Sequence, residues 1–213
     1  MTTALDRFYH HLSRPLVLRS RWLLGFLVVP LALSFSAPLW NIHLVAPQYP
    51  QGLNIDIYAY TVEGDIQEVN TLNHYIGMSR IDRASLTDLD WIPFALGVLI
   101  VLTLRVASIG ENRSLVDLTV LFLYFSLFSL ARFYLKMYVF GHNLNPEAPF
   151  KVEPFMPAVL GSRQIANFTT SAWPRLGSLW VGIYGTGLLA LLLWNLRGAL
   201  APAAARSEHP AAR

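Results

Sequence analysis

The chain has 213 residues, of which 54% are hydrophobic and only 14% are charged. A soluble domain carries roughly 25% charged residues, so this composition excludes an ordinary soluble protein and favours a membrane protein. The formal net charge of +3 is divided between segments expected on opposite sides of the membrane, so it does not indicate nucleic-acid binding, and the lack of cysteine excludes disulfides and thiolate metal sites.

Four apolar stretches are long enough to cross a bilayer, which takes roughly 20 residues in a helix. They are residues 22–40, 91–109, 115–140 and 176–196. The first and last contain no charge, the second is interrupted only by Arg105, and the third carries Arg132 and Lys136 near its end. The predicted fold class is an all-α membrane protein with four transmembrane helices and a small periplasmic cap.

The basic residues predict how these spans are oriented. Residues 1–21 contain four arginines, and Lys and Arg near span ends mark the cytoplasmic side. Four crossings then place the hairpin 110–114 and the tail 197–213 in the cytoplasm as well. Residues 41–90, with seven acidic side chains and two arginines, and residues 141–175 would face the periplasm. We expect a multi-pass protein of the bacterial inner membrane with both termini in the cytoplasm.

The first span allows a second interpretation. A basic leader, the apolar stretch LLGFLVVPLALSFS and the small residues around it follow the order of a cleavable signal peptide. The apolar run exceeds the usual length of roughly 7 to 15 residues in such peptides, which favours a retained helix. Cleavage would leave three spans and the same outer loops.

The outer loop of residues 41–90 is expected to form the cap. Apolar and polar residues alternate in LNIDIYAY, and Ile66 and Val69 recur in GDIQEVN after the VEGD turn region, which predicts a short β-hairpin. Asn70 would cap a short helix through NTLNHYIGM. In residues 141–175, five prolines predict an ordered loop without continuous regular structure, and the Ala- and Pro-rich tail is predicted to be disordered.

One candidate metal site lies in the string NHYIGM. His74 and Met78 would share one face of a helix, and imidazole with thioether favours copper in an oxidising compartment. His142 is the first choice for a further ligand, followed by Met156 and His43. The alternative is structural: His74 bonds a loop carbonyl, Met78 fills a packing gap and His142 satisfies a helix end.

A second candidate site is the pair Arg132 and Lys136, one helical turn apart near the outer end of the third span. Charges within a span are costly and point to a functional role, here the binding of an anionic or quinone-like headgroup. Pairing with Asp88 or Asp90 at the start of the second span, or snorkelling to the interface, are the structural alternatives. In the last span, the glycines of GIYGTG predict close helix packing.

The outer-loop strings APQYPQGL, GDIQEVNTLNHYIGM and GHNLNPEAP, followed by Asn167 and Phe168, resemble a family of small multi-span bacterial membrane proteins. That family is associated with the accessory genes beside nitrous oxide reductase, particularly in the atypical clusters. The resemblance covers most of residues 38–175. It implies a membrane partner that assembles a periplasmic copper enzyme, supplies copper to it or passes electrons towards it. The positions that match are His74, Met78 and His142, and their residue types and expected periplasmic side are the basis for the hypothesis that they bind copper.

The expected function is therefore that of a non-catalytic accessory protein whose periplasmic cap handles copper or assists complex assembly. Its partners would be the lipid bilayer and other membrane or periplasmic respiratory proteins. The alternative is a membrane subunit of a respiratory electron-transfer complex, with Arg132 and Lys136 next to a quinol headgroup. Such a subunit would borrow its redox cofactor, because the spans lack the facing histidines that hold b-type haem.

Overall fold

Four long helices dominate the part of the chain that the structure describes, which is residues 12–82, 84–165 and 167–200. In this computed structural model the helices are α1 (Leu18–Leu33), a short α2 (Ile66–Ile76), α3 (Asp88–Ile109), α4 (Asn112–His142) and α5 (Leu176–Leu200). The four long ones are apolar enough to cross a membrane, which confirms the predicted number of candidate spans. Most of the predicted disordered tail lies outside the described residues.

The helix ends differ from the predicted spans in two ways: most helices extend beyond the hydrophobic stretch, whereas α1 ends within it. α1 starts at Leu18, ahead of the predicted boundary, and ends in a 3-10 turn at Ser34–Ser36. Ala37 is already extended, and Trp40 begins a strand instead of ending a span. The long helices form a closed set in which α1 packs against α3 and α5, and α4 packs against the same two helices.

A five-stranded antiparallel sheet is the main departure from the predicted fold. Its strands are β1 (Trp40–Ala46), β2 (Tyr49–Ile57), β3 (Val62–Gly64), β4 (Gly161–Ile165) and β5 (Phe168–Pro174), in the spatial order β3-β2-β1-β5-β4. The strands follow α1 and precede α3, or lie between α4 and α5, so all of them are at one end of the bundle. We call this the sheet end.

The second loop was wrongly predicted to lack regular structure. Its prolines flank the strands: Pro146, Pro149, Pro154 and Pro157 precede β4, and Pro174 is the last residue of β5. Proline is tolerated at strand ends because no ladder hydrogen bond is lost there. β5 then pairs with β1 from Trp40↔Pro174 to Val45↔Thr169, which joins the two loops in one sheet.

The first loop contains the predicted short β-hairpin and short helix, but their boundaries differ from the predicted ones. Ile66 and Val69 belong to α2, whereas the VEGD region forms β3. Val69 and Leu72 pack from α2 against Leu53 of β2, which shows that their spacing had a helical period. Asn70 lies inside α2 and fixes the chain that follows: its side chain accepts from the amide of Ile81 at 2.7 Å and donates to the carbonyl of the same residue at 3.1 Å.

The strings NHYIGM and GHNLNPEAP contact each other through their backbones. The amide of Asn145 donates to the carbonyl of Gly77 at 2.8 Å, and the amide of Phe150, the residue after GHNLNPEAP, donates to the carbonyl of Tyr75 at 2.9 Å. Gly77 ends α2 in the left-handed region, with φ of 78°. A Cβ there would lie 2.8 Å from the carbonyl oxygen of Asn145, so this approach requires glycine.

Small residues also allow close packing inside the bundle, as the GIYGTG string predicts. A Cβ at Gly185 would lie 2.4 Å from the ring of Phe122 on α4, and one at Gly187 would lie 2.5 Å from Leu27 on α1. Tyr184, next to Gly185 on α5, forms a buried hydrogen bond with Thr103 of α3, with 2.7 Å between the two hydroxyl oxygens. Packing of α5 against its neighbours therefore depends on this string.

Replacement of Gly77 with alanine tests the contact between the two loops. We expect Gly77→Ala to lower the free energy of unfolding by about 2 kcal/mol, because it adds left-handed strain and a clash with the main chain of Asn145. Gly25→Ala is the control, since a Cβ at Gly25 meets nothing within 4 Å. Thermal unfolding in detergent measures both, and equal melting temperatures would contradict this account.

Candidate functional site

An ion pair connects α3 and α4 at the sheet end. The guanidinium of Arg132 donates from Nε to Oδ1 of Asp88 at 3.0 Å and from Nη2 to Oδ2 at 3.2 Å. The indole of Trp91 also donates to Asp88 Oδ1, at 2.9 Å. The Asp88 side chain is 17% exposed and that of Arg132 is 42% exposed. The predicted pairing of Arg132 with an acid at the start of the second span is confirmed for Asp88.

This pairing bears on the predicted headgroup site at Arg132 and Lys136. Asp88 engages two of the guanidinium nitrogens of Arg132, and Lys136 adds an attractive electrostatic interaction with the same carboxylate. The charge of both basic groups is therefore partly balanced by Asp88. Headgroup binding by Arg132 and Lys136 stays a prediction.

The structure separates the two candidate copper ligands of NHYIGM. Since α2 ends at Ile76 and Gly77 reverses the backbone, Met78 does not continue the helical face that carries His74. The His74 side chain is exposed beside Tyr75, with 6.2 Å between the ring centroids. Met78 instead lines a cavity of about 120 Å³ beneath the sheet, together with Met137 of α4. The prediction that His74 and Met78 share one helical face was therefore wrong.

The other two candidate histidines are held by local contacts. His142, the last residue of α4, stacks on Tyr138 at 3.8 Å, and its Nδ1 lies 2.9 Å from the carbonyl of that residue. His43 Nδ1 lies 3.0 Å from Asn54 Oδ1, and its ring covers Gly52. Within the described residues, no group of three or more His, Asp or Glu side chains is arranged to hold a metal. The copper-ligand role of His74, Met78 and His142 stays a prediction.

A larger cavity, of about 470 Å³, lies between α3, α4 and α5 directly below the sheet. Its walls come from residues 92–96 of α3, residues 122–133 of α4 and residues 178–189 of α5, and Trp40 and Tyr58 cover it from the sheet end. The volume falls within the roughly 300–1,000 Å³ of small-molecule sites. We call this the membrane cavity.

Polar groups lining the membrane cavity fall into two sets. The hydroxyls of Ser129, Ser178 and Thr186 each donate to a main-chain carbonyl, at 2.8, 2.6 and 2.8 Å respectively. By contrast, Ser126 Oγ and Trp40 Nε1 are buried and have no hydrogen-bond partner among the described residues. Such unpaired groups are uncommon, because each costs roughly 1–3 kcal/mol. Both therefore need an explanation.

Tyr58 supplies a further hydroxyl at the sheet end of the membrane cavity. Partial burial, and then the nearby carboxylates of Glu63 and Asp56, raise the pKa of the Tyr58 phenol above its usual value.

Sequence reasoning missed the membrane cavity altogether. Two signals were available: Ser126 and Ser129 interrupt an otherwise apolar span, and Gly182 lacks the side chain that would fill the space beside it. Neither could be interpreted without the sheet, because Trp40 was assigned to the end of a span. Comparison with protein-family models, curated proteins and solved structures finds no match to this chain. The interpretation of the candidate copper site and of the candidate headgroup site therefore depends on their geometry and chemistry alone.

Double substitution tests the ion pair. We expect Asp88→Asn and Arg132→Gln each to lower the free energy of unfolding by about 1 kcal/mol, because each leaves a partly buried polar group without its partner. The double variant should cost about as much as one single variant, since the second change removes nothing further. Unfolding of the four proteins in detergent measures this coupling, and strictly additive losses would argue against the pair as a stabilising contact.

Proposed function

We propose that the protein is a non-catalytic accessory protein of the bacterial inner membrane, and that its sheet end is a periplasmic docking surface for a respiratory protein. The observation that carries the proposal is the joining of two separate loops into one ordered sheet above four apolar helices. A short helical bundle needs no such sheet to span a membrane, since its helices satisfy their own backbones. The sheet is therefore more readily explained by a partner outside the bilayer.

Charge at the opposite end supports this orientation. Arg21 donates from Nε to the carbonyl of Ala107 at 2.8 Å and from Nη2 to that of Ser108, and so neutralises the carboxyl end of α3. Arg14 and Arg19 lie in the same segment, and the acidic side chains of residues 41–90 lie at the sheet end. Lys and Arg enrichment favours a cytoplasmic location for the end that contains Arg21.

An aromatic pair at the sheet end is suited to protein contact. Tyr75 and Phe150 are 46% and 63% exposed, and their ring centroids lie 6.3 Å apart. Tyr75 belongs to NHYIGM and Phe150 directly follows GHNLNPEAP, and the backbone hydrogen bond between these two residues fixes their positions before a partner binds. Exposed, rigid aromatic groups are the side chains that most often anchor an interface. We call this pair the aromatic anchor.

The resemblance in these strings suggests the kind of partner, namely a periplasmic copper enzyme such as nitrous oxide reductase. His74 is next to Tyr75 on the exposed side of α2, so a copper ion held by His74 would be presented beside the aromatic anchor. Imidazole is a suitable ligand for transient copper transfer. Assembly or copper supply is thus favoured over catalysis by this chain.

The alternative function, a respiratory subunit with a basic site near quinol, has one observation in its favour. Arg132 lies on the same part of α4 as Ser129 and Phe133, which line the membrane cavity. The engagement of Arg132 by Asp88 argues against a freely available basic group. We therefore retain this as the second candidate.

Removal of the aromatic anchor tests docking. We expect Tyr75→Ala combined with Phe150→Ala to abolish co-purification of the native respiratory partner after mild solubilisation and cross-linking, while the protein remains in the membrane. Tyr124→Ala is the matched control, because Tyr124 is 69% exposed within the span of α4. Mass spectrometry of the cross-linked samples reads the result. Retention of a respiratory enzyme by the double variant would overturn docking at this surface.

Copper binding tests the ligand assignment separately. We expect purified wild-type protein to bind Cu(I) and both His74→Ala and His142→Ala to bind it at least tenfold more weakly, because loss of one ligand removes a large part of the affinity. Tyr75→Phe controls for disturbance of α2. Competition with a chromogenic Cu(I) chelator gives the affinities, and identical values in all four proteins would remove these residues as ligands.

A further inference from the structure

Two residues that line the membrane cavity, Trp40 and Ser126, each carry a buried polar atom without a hydrogen-bond partner among the described residues. Trp40 Nε1 is a donor only, and Ser126 Oγ can donate or accept. Three other hydroxyls in the same cavity are paired with main-chain carbonyls, so unpaired groups are not a general property of its lining. Neither atom is exposed to the cavity in this structure, so a bound molecule with hydrogen-bond acceptors would satisfy both once the two side chains turn towards it.

The two unpaired groups belong to different elements. Trp40 begins β1 at the sheet end, where its ring packs 5.4 Å from that of Phe133. Ser126 lies on α4, seven residues before Phe133. A ligand with more than one acceptor could therefore serve a group on each element.

The cavity walls favour a flat, apolar body. The wall that α4 contributes to the cavity includes Phe122, Phe125 and Phe133. Its only polar side chains are the small hydroxyl groups of two serines. Aromatic side chains stack on planar rings or contact them edge to face. A charged ligand would find no ionised side chain among the residues that line this cavity. The part of the ligand that occupies the cavity is therefore uncharged.

The membrane cavity opens between α4 and α5. Leu130 of α4 is 58% exposed and Leu189 of α5 is 37% exposed, and both line it. Gly182 and Thr186 are exposed on the same side of α5. Since both helices are candidate spans, these residues border the bilayer rather than water. A ligand would enter sideways from the lipid.

From these four observations we infer that the membrane cavity binds the uncharged part of a lipid-dissolved molecule through carbonyl oxygens, which accept from Trp40 Nε1 and Ser126 Oγ. A quinone offers two carbonyls on one flat ring, which suits the aromatic wall. The ester carbonyls of a bilayer phospholipid, whose charged headgroup would stay outside the cavity, have the same hydrogen-bonding chemistry. The inference is independent of docking at the aromatic anchor and of copper binding.

Native mass spectrometry of the full chain, with decylubiquinone added and co-purified phospholipid retained, identifies the ligand by mass. We expect one decylubiquinone per protein, with a Kd that rises roughly five- to tenfold in both Ser126→Ala and Trp40→Phe, because each loses one buried hydrogen bond. Trp22→Phe is the matched control, since Trp22 is 67% exposed on α1. Loss of retained phospholipid in the same two variants, without quinone binding, would support the carbonyl site and assign it to a bilayer lipid.

Thermal unfolding of ligand-free protein separates binding from folding. Ser126→Ala should leave the melting temperature unchanged or raised, because Ser126 Oγ has no partner to lose within the described residues. Gly182→Leu should reduce binding by filling the cavity, since a Cβ at Gly182 meets nothing within 4 Å, whereas Gly97→Leu, equally unobstructed on α3, should not. Failure to bind either ligand, or equal binding by Ser126→Ala, Trp40→Phe and wild type, would overturn the inference.

Discussion

Pairing on both edges of strand β1 is the interaction on which the rest of the structure depends. β1 follows α1 directly and hydrogen-bonds to β2 on one side and to β5 on the other. β5 in turn leads straight into α5, so one strand links the first and last long helices. Because Trp40 starts β1 and pairs with Pro174, the same contact sets the position of the indole above the membrane cavity.

Two further contacts hold the sheet relative to the bundle. The backbone bond from Asn145 to Gly77 joins the connection after α4 to the end of α2, and the fork between Arg132 and Asp88 joins α4 to the start of α3. Both lie at the sheet end, where the apolar spans give way to polar segments. Together they join the sheet, with the proposed docking surface, to the helices that form the membrane cavity, although the functions proposed for the two regions are separate.

The four spans could be predicted from the sequence because hydropathy is a local property, and an apolar run in lipid has few alternatives to a helix. The sheet could not, since β1 and β5 are more than 120 residues apart and no local pattern indicates that they pair. The pairing of His74 with Met78 failed for a local reason, namely the left-handed Gly77. Asp88 was found as a partner of Arg132 because a charge in a span requires one. Ser126 and Trp40 could be connected only once β1 was placed.

The place of β5 in the chain has a consequence for biosynthesis. A chain inserted from its N-terminus delivers β1 and β2 early, yet β5 reaches the same side only after α4 has crossed. Until then one edge of β1 exposes unpaired amides and carbonyls, which can pair with any extended chain nearby. The hairpin of β4 and β5 thus covers this edge of β1 last. If synthesis stops before this hairpin, the edge of β1 stays unpaired and can promote aggregation.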